Sequence, residues 1–117
     1  MRLGDAELKI MDALWRLGDV PAKRLADLLG EQVGWNKNTT YTLIRRLIEK
    51  GAVARSEPGF VCRALLMREE VRREQAAEMV NKLFDGSASL LLASLVDGQA
   101  LPQKEIDALR ALIDGMK

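Results

Sequence analysis

The sequence lacks histidine altogether and contains a single cysteine, Cys62, in 117 residues. One cysteine forms no intrachain disulfide and no cysteine-rich metal site. Without histidine the chain has neither Ser/His nor Cys/His nucleophilic catalysis, nor the zinc sites that imidazole ligands build. The sequence also shows no clustered carboxylates in a plausible pocket and no phosphate-binding glycine loop. We therefore expect no enzyme activity and no bound metal or cofactor.

Long apolar runs and aromatic residues are also scarce. No stretch of about 18 apolar residues occurs, so we expect no membrane insertion. No basic segment followed by an apolar run opens the sequence as a secretion signal would, and a cytoplasmic protein is the simplest expectation. Aromatics make up only 4% of the residues against 48% for all hydrophobic types. The core must therefore consist mainly of Leu, Ile, Val, Ala and Met, as in helical proteins.

The net charge of +1 is distributed unevenly along the sequence. Residues 1–67 carry eleven Lys and Arg against eight Asp and Glu, whereas residues 68–117 carry seven against nine. The front half is therefore mildly basic, which favours a polyanionic partner for that half.

Turn and capping signals divide the sequence into six helices and one hairpin. Helices are expected near residues 5–17, 21–29, 37–50, 68–84, 87–97 and 103–115. Gly30 is expected to end the second of these, and Pro21 to lie in its first turn, after a short edge strand at Val20. Two strand-like segments, Ala52–Ser56 and Phe60–Leu65, flank a turn and predict a hairpin.

Three compact helices followed directly by a β-hairpin are the pattern of a winged helix-turn-helix. We therefore predict a mainly α fold with two domains. Residues 1–66 form a winged helix-turn-helix DNA-binding domain of three helices plus a β-hairpin wing. Residues 67–117 form a three-helix dimerisation domain.

The third helix separates into two faces when each residue is advanced by about 100°. Asn36 is a good N-cap for this helix and Gly51 a good stop. One arc holds Thr40, Tyr41, Leu43, Ile44, Leu47 and Ile48, and the opposite arc holds Asn38, Thr39, Thr42, Arg45, Arg46, Glu49 and Lys50.

The polar arc has the chemistry of a DNA-recognition helix. Asn pairs with the adenine edge, Thr donates to bases or phosphates, and Arg takes guanine or phosphate. Lys37 and Asn38 stand where such a helix enters the groove, and the hairpin's Arg55 and Arg63 are in position to reach phosphates. The alternative is an ordinary amphipathic surface helix, with hairpin arginines that serve solubility.

Three further side chains have a structural and a functional interpretation. Trp35 either anchors the linker in the core, which we favour, or stacks on a ligand. Trp15 lies in the core or at the edge of helix one. Cys62 is expected to be a small packing residue rather than a reactive thiol.

The last 50 residues bury too little surface to be stable alone, yet they carry apolar stripes. A helix that is apolar on nearly every side, as over residues 90–96, must be buried on every side. A two-fold dimer of interlocking tails meets this requirement; the alternative is a tail folded back on its own winged-helix domain. The candidate dimerisation residues are Val80, Leu83, Phe84, Leu91, Leu92, Leu95, Ile106, Leu109 and Ile113.

Two segments resemble a known family. Residues 3–8 (Leu-Gly-Asp-Ala-Glu-Leu) with Met11 and Leu14-Trp15, and the recognition segment Trp35–Gly51, are similar to the BlaI/MecI family of penicillinase repressors and methicillin-resistance regulators, which includes the CopY branch. The resemblance covers nearly the whole chain. It implies a homodimer that represses transcription from a palindromic operator, in some members at antibiotic-resistance genes. Carried onto this sequence, the family's DNA contacts are Asn36, Asn38, Thr39, Thr42 and Arg46.

The sequence departs from the family pattern at four places. Asn38 stands where well-studied members have Lys, and Phe60 stands where a wing Arg is usual. Ser94-Leu95 occupies the place of the Asn-Phe bond that a membrane sensor metalloprotease cuts in antibiotic-responsive members, so this is the candidate cleavage site and that protease a candidate partner. The tail has no cysteine for metal sensing of the CopY kind.

Two functions therefore remain for the chain. The first is a sequence-specific, dimeric DNA-binding repressor. The alternative is a winged-helix protein-interaction module that does not bind DNA directly, which the mild overall charge permits.

Overall fold

A computed structural model describes residues 1–116. Over this range the chain is mainly helical, with one small sheet. Its elements are α1 (Asp5–Leu17), β1 (Val20–Pro21), α2 (Ala22–Val33), α3 (Lys37–Lys50), β2 (Val53–Ser56), β3 (Val61–Ala64), α4 (Arg68–Leu83), α5 (Ala88–Asp97) and α6 (Gln103–Gly115). The predicted mainly α class with a three-helix and hairpin front half is confirmed.

The chain divides into two compact units, Met1–Gln75 and a second that begins at Ala76. This structural division lies inside α4, whereas the sequence predicted a boundary between residues 66 and 67. The reason is Val71, which is 5% exposed and belongs to the core cluster of the first unit. The first turns of α4 are therefore part of the winged-helix unit. The separate roles assigned to the two segments stay a prediction.

The first unit contains a three-stranded antiparallel sheet of order β1-β3-β2. Strands β2 and β3 form the hairpin, with Arg55 opposite Cys62 and Val53 opposite Ala64. The short strand β1 adds to the other edge of β3, with Val20 also opposite Cys62. The predicted edge strand and hairpin are confirmed, each strand ending within a residue or so of its expected bounds.

Helices α1, α2 and α3 and the sheet enclose one aliphatic core. Ile10, Leu25, Ile44 and Leu47 are fully buried in it. Cys62 is fully buried too, and burial raises the pKa of its thiol to about 11 although Arg55 opposes the shift. A thiol in that state is a packing group and not a nucleophile, as the sequence indicated.

The sequence predicted that Pro21 lies in the first turn of α2 and that Gly30 ends this helix, and both predictions are wrong. Pro21 is the N-cap, and the helix continues to Val33. Gly34 ends it with a left-handed φ of 75°, and its N–H donates to the carbonyl oxygens of Gly30 and Leu29. By residue type, either glycine could end a helix. Of the two, only Gly34 has the left-handed backbone that ends α2.

In the second unit, none of the residues 76–116 is classed as buried. Large apolar side chains stay exposed there, among them Leu83 of α4 (72%), Leu112 of α6 (66%) and Met116, which caps the end of α6 (85%). Within residues 1–116 no single helix is long and apolar enough to cross a membrane; α4 and α5 reach that length and composition only as a bent pair. The second unit therefore lacks a closed core of its own.

Thr40 of α3 is a buried polar residue whose removal should stabilise the protein. It is fully buried, and its hydroxyl has no hydrogen-bond partner within residues 1–116. Since an unpaired buried polar group costs about 1–3 kcal/mol, we expect Thr40→Val to raise the free energy of unfolding by about 1 kcal/mol, measured by urea denaturation. Thr42→Val, at an exposed site on the same helix, is the control and should change it by under about 0.5 kcal/mol. A loss of stability in Thr40→Val would contradict this account.

Candidate nucleic-acid interface

Local sequence sets both ends of α3. The Asn36 side-chain oxygen accepts hydrogen bonds from the Thr39 N–H at 2.9 Å and the Thr39 hydroxyl at 3.1 Å. At the other end Gly51 is left-handed, with φ of 81°, and its N–H donates to Ile48 and Leu47. The predicted N-cap and stop are both confirmed, so the helix runs over residues 37–50 as expected.

The two arcs of α3 face opposite environments. Thr40, Leu43, Ile44 and Leu47 are buried, and Tyr41 and Ile48 are half-buried. The whole polar arc is exposed: Asn38, Thr39, Thr42, Arg45, Arg46, Glu49 and Lys50. The predicted separation of an inward apolar and an outward polar face is therefore confirmed; contact of the outward face with DNA stays a prediction.

An open groove of about 400 Å³ runs along the outward face of α3. It is lined by Asn36, Asn38, Thr39, Thr42 and Arg46, together with Ala6 and Leu43. The lining offers amide, hydroxyl and guanidinium groups and no carboxylate. It extends from the first turn of α3, where the helix dipole favours anions, to Arg46. The five residues that the family resemblance singled out are thus brought together, whereas Ala6 of α1 was missed.

Asn36 has a structural task within this groove. Its side-chain oxygen is occupied by the two bonds from Thr39, so only its amide NH2 group remains to donate. Lys37 and Arg45 are exposed on α3 without lining the groove.

Lys50 is not brought to the groove. Its ammonium donates to Glu7 Oε1 at 2.7 Å and to the Arg2 carbonyl oxygen at 3.1 Å, which ties the end of α3 to α1. The Glu7 side chain is 9% exposed, and the same Oε1 accepts from the Gly4 N–H at 2.9 Å. Burial raises the pKa of Glu7, but the hydrogen bonds from Lys50 and Gly4 and the charges of Lys50 and Arg46 outweigh it, so the pKa lies below its ordinary value.

The hairpin arginines point in different directions. Arg55 lies opposite Cys62 in the β2–β3 register, and its guanidinium carbon is 3.6 Å from the centre of the Phe60 ring. Arg63 follows Cys62 in β3 and is exposed. Because successive side chains of a strand point to opposite faces, Arg63 lies on the sheet face away from Cys62.

Both tryptophans are structural, as the sequence favoured for Trp35. Trp35 is half-buried and packs against the core. The Trp15 indole N–H donates to the Leu66 carbonyl oxygen at 2.8 Å, and the Arg68 guanidinium lies 5.5 Å from its ring centre. Trp15 therefore ties α1 to the segment that enters α4.

The order of elements and the exposed polar face of α3 define the class of protein: a winged helix-turn-helix, with α2 and α3 as the helix pair and β2–β3 as the wing. The sequence matches the profile of the penicillinase repressor family over residues 3–115. The chain belongs to the penicillinase repressor family.

Individual relatives agree with this assignment. The methicillin resistance regulatory protein MecI of Staphylococcus aureus (strain N315) is 25% identical over 114 residues, which cover 96% of this chain and 93% of MecI. The penicillinase repressor of Bacillus licheniformis is 22% identical over 118 residues, covering 99% and 92%.

Two solved structures resemble the winged-helix part. The DNA-binding domain of the repressor BlaI superposes with a TM-score of 0.55 at 27% identity, covering 59% of this chain and 87% of that one. Monomeric BlaI of Bacillus licheniformis in complex with the blaP half-operator superposes with a TM-score of 0.54 at 26% identity, covering 60% and 88%.

The Glu7–Lys50 pair gives the stability a specific pH dependence. Because the folded-state pKa of Glu7 is lowered, the pair stabilises the protein above the unfolded-state pKa and is lost as the pH falls through the folded-state value. We expect Glu7→Gln to lower the free energy of unfolding by roughly 1 kcal/mol at neutral pH, a figure discounted because Lys50 is 38% exposed.

Denaturation at neutral pH and at about pH 3 measures the difference between wild type and variant, which should shrink in acid. Glu49→Gln removes an exposed carboxylate next to Lys50 and is the control. A wild-type advantage that is equal at both pH values would rule out this role of Glu7.

Proposed function

We propose that this chain is a sequence-specific DNA-binding transcriptional repressor that reads the major groove with the outward face of α3. The observation that carries the proposal is the groove in which Asn38, Thr39, Thr42 and Arg46 converge without a carboxylate. The proposal is supported by the likeness to BlaI, whose complex with a half-operator has the same winged-helix fold.

Each side chain of this face has a role that its chemistry suits. Asn38 and Arg46 reach base edges, where an amide suits adenine and a guanidinium suits guanine. Thr39 and Thr42 contact bases or phosphates through their hydroxyls. Lys37 and Arg45, outside the groove, neutralise backbone phosphates, and Asn36 caps the helix whose N-terminus faces the DNA.

The protein acts as a homodimer on a palindromic operator. The second unit supports this, because residues 76–116 include no buried side chain: their large apolar residues are half-buried, as Leu91 and Leu95 are, or exposed, as Leu83 and Ile113 are. A second copy covers such a surface by two-fold symmetry. Two recognition helices related by the dimer axis then read half-sites about 10–10.5 base pairs apart, or multiples of that spacing.

Release of the operator by proteolysis at Ser94-Leu95, by a membrane sensor metalloprotease, belongs to the same proposal. Both residues lie within α5, with Ser94 exposed and Leu95 half-buried. A peptide bond inside a helix reaches a protease only after local unfolding. Cleavage would therefore depend on the opening of α5.

DNA binding is tested by selecting binding sites from a random duplex library and titrating the selected duplex against salt. We expect a steep loss of affinity with salt, because bound Lys and Arg release phosphate counterions. Combined Thr42→Ala and Arg46→Ala should weaken binding at least about tenfold, since each good base contact contributes about 1–3 kcal/mol. Arg16→Ala, at the far end of α1, is the control.

Selective binding that survives the double substitution would mean that α3 is not the reading face. Failure to select any sequence, with a flat salt response, would favour the alternative of a protein-interaction module that does not bind DNA.

Dimerisation is tested by sedimentation of wild type and of Leu91→Glu combined with Leu95→Glu. We expect wild type to sediment as a dimer and the variant as a monomer, because a buried unpaired carboxylate is costly. The variant should also bind the selected operator about a hundredfold less tightly, because a monomer contacts one half-site and loses the gain in affinity from linking two half-site contacts. Ser89→Glu, at an exposed polar position of α5, is the control. A monomeric wild type would contradict the proposal.

A further inference from the structure

Arg55 and Glu57 form an ion pair at the tip of the wing, outside the DNA-reading face of α3. Glu57 Oε1 accepts from Arg55 Nε at 2.6 Å and lies 2.6 Å from Arg55 Nη2. Glu57 Oε2 accepts from the Phe60 backbone N–H at 3.0 Å. The Phe60 N–H and the Arg55 guanidinium hold the pKa of Glu57 below its ordinary value. At neutral pH the wing tip therefore carries a cation paired with a carboxylate on its own turn.

Phe60 is held in an unusual backbone conformation by contacts on several sides. Its φ of 49° is left-handed, a region that bulky residues rarely adopt. The Phe60 carbonyl oxygen accepts from the Ala22 N–H at 2.9 Å, and the ring meets Tyr41 edge-on with 5.9 Å between ring centres. A strained residue persists where its surroundings over-determine it, so these contacts fix the ring in place.

The ring of Phe60 links the Arg55 guanidinium to the recognition helix. Arg55 stacks on one side of it at 3.6 Å, and Tyr41 of α3, adjacent to Thr42, contacts it edge-on. The Arg55 side chain is 47% exposed. A guanidinium has five N–H donors, and the bonds to Glu57 engage only its Nε and Nη2 groups. Donors remain for an anion, on a cation whose position is set relative to α3.

We propose that Arg55, positioned by Phe60 and Tyr41, is the phosphate-binding group of the wing and that Glu57 is an internal counterion with which DNA phosphate competes. This inference rests on the proposed DNA-binding function. It assigns to Arg55 the contact that the family resemblance places on an arginine at position 60. It also makes Glu57 a residue that weakens DNA binding, which the sequence pattern did not indicate.

The test measures binding to a labelled random-sequence DNA duplex by fluorescence anisotropy across a salt series, because phosphate contacts supply non-specific affinity. Arg55→Gln should weaken binding and reduce the slope of log affinity against log salt by about one unit. Glu57→Gln should tighten binding several-fold, since the competitor is removed while an amide oxygen still accepts from the Phe60 N–H. The increase in affinity caused by Glu57→Gln should be smaller when Arg55→Gln is also present.

The matched controls are Arg16→Gln and Asp12→Asn. Arg16 and Asp12 form an ion pair of 3.1 Å with side chains 53% and 49% exposed, remote from the wing in sequence. Asp12 also accepts from the Arg68 guanidinium at 3.2 Å, so its variant is checked for retained fold. Arg16→Gln changes the net charge as Arg55→Gln does, and Asp12→Asn changes it as Glu57→Gln does. If a control changed the salt slope or the affinity as much as its counterpart, the effect would be one of net charge, and the proposal would be contradicted.

The positioning role of Phe60 has a separate readout. Phe60→Leu keeps every charge but removes the ring, so we expect weaker binding at an unchanged salt slope, with binding restored in Phe60→Tyr. Circular dichroism of each variant checks that the fold is retained.

Two results would overturn the inference while leaving the proposed function intact. One is a wild-type salt slope that Arg55→Gln leaves unchanged, because Arg55 would then contact no phosphate. The other is a Glu57→Gln variant that binds more weakly than wild type, because the ion pair would then be a fixed part of the wing. A wild type with no salt-dependent binding to the duplex would instead contradict the DNA-binding function itself.

Discussion

The burial of one face of α3 is the constraint on which the rest of the winged-helix unit depends. Ile44 and Leu47 are fully buried and Leu43 nearly so, within the core that α1, α2 and the sheet share. Full burial of an aliphatic side chain contributes about 1.5–3 kcal/mol, so rotation of the helix about its axis would sacrifice several such contributions. With the apolar arc fixed inward, Asn38 and Arg46 have to face outward.

Burial sets which face of α3 points outward, and three further contacts fix where the helix lies. Asn36 sets where α3 begins, through its bonds to Thr39. Lys50 ties the other end to Glu7 on α1. Phe60 links the wing to the helix through Tyr41. A reading surface needs side chains held in fixed geometry by packed neighbours. The Lys50 and Phe60 contacts supply it from outside the groove, and the Asn36–Thr39 bonds supply it within the groove.

The two units differ in how completely they bury their apolar side chains. The first encloses a core that includes Cys62 and extends to Val71 of α4. The second leaves side chains such as Leu83 and Leu112 exposed, as expected of a short segment that buries too little surface alone. One chain thus combines a unit that encloses its own core with one that leaves apolar side chains uncovered.

The amino-acid sequence by itself determined the helical class, the hairpin, the ends of α3 and its two arcs. These depend on residues three or four positions apart and on single capping residues, so they are legible along the chain. Only the tertiary structure decided that Lys50 pairs with Glu7, that Phe60 packs on Tyr41 and carries Arg55, and that Gly34 rather than Gly30 ends α2. Such choices depend on which groups the packing of helices and sheet brings together, across separations that sequence periodicity does not encode.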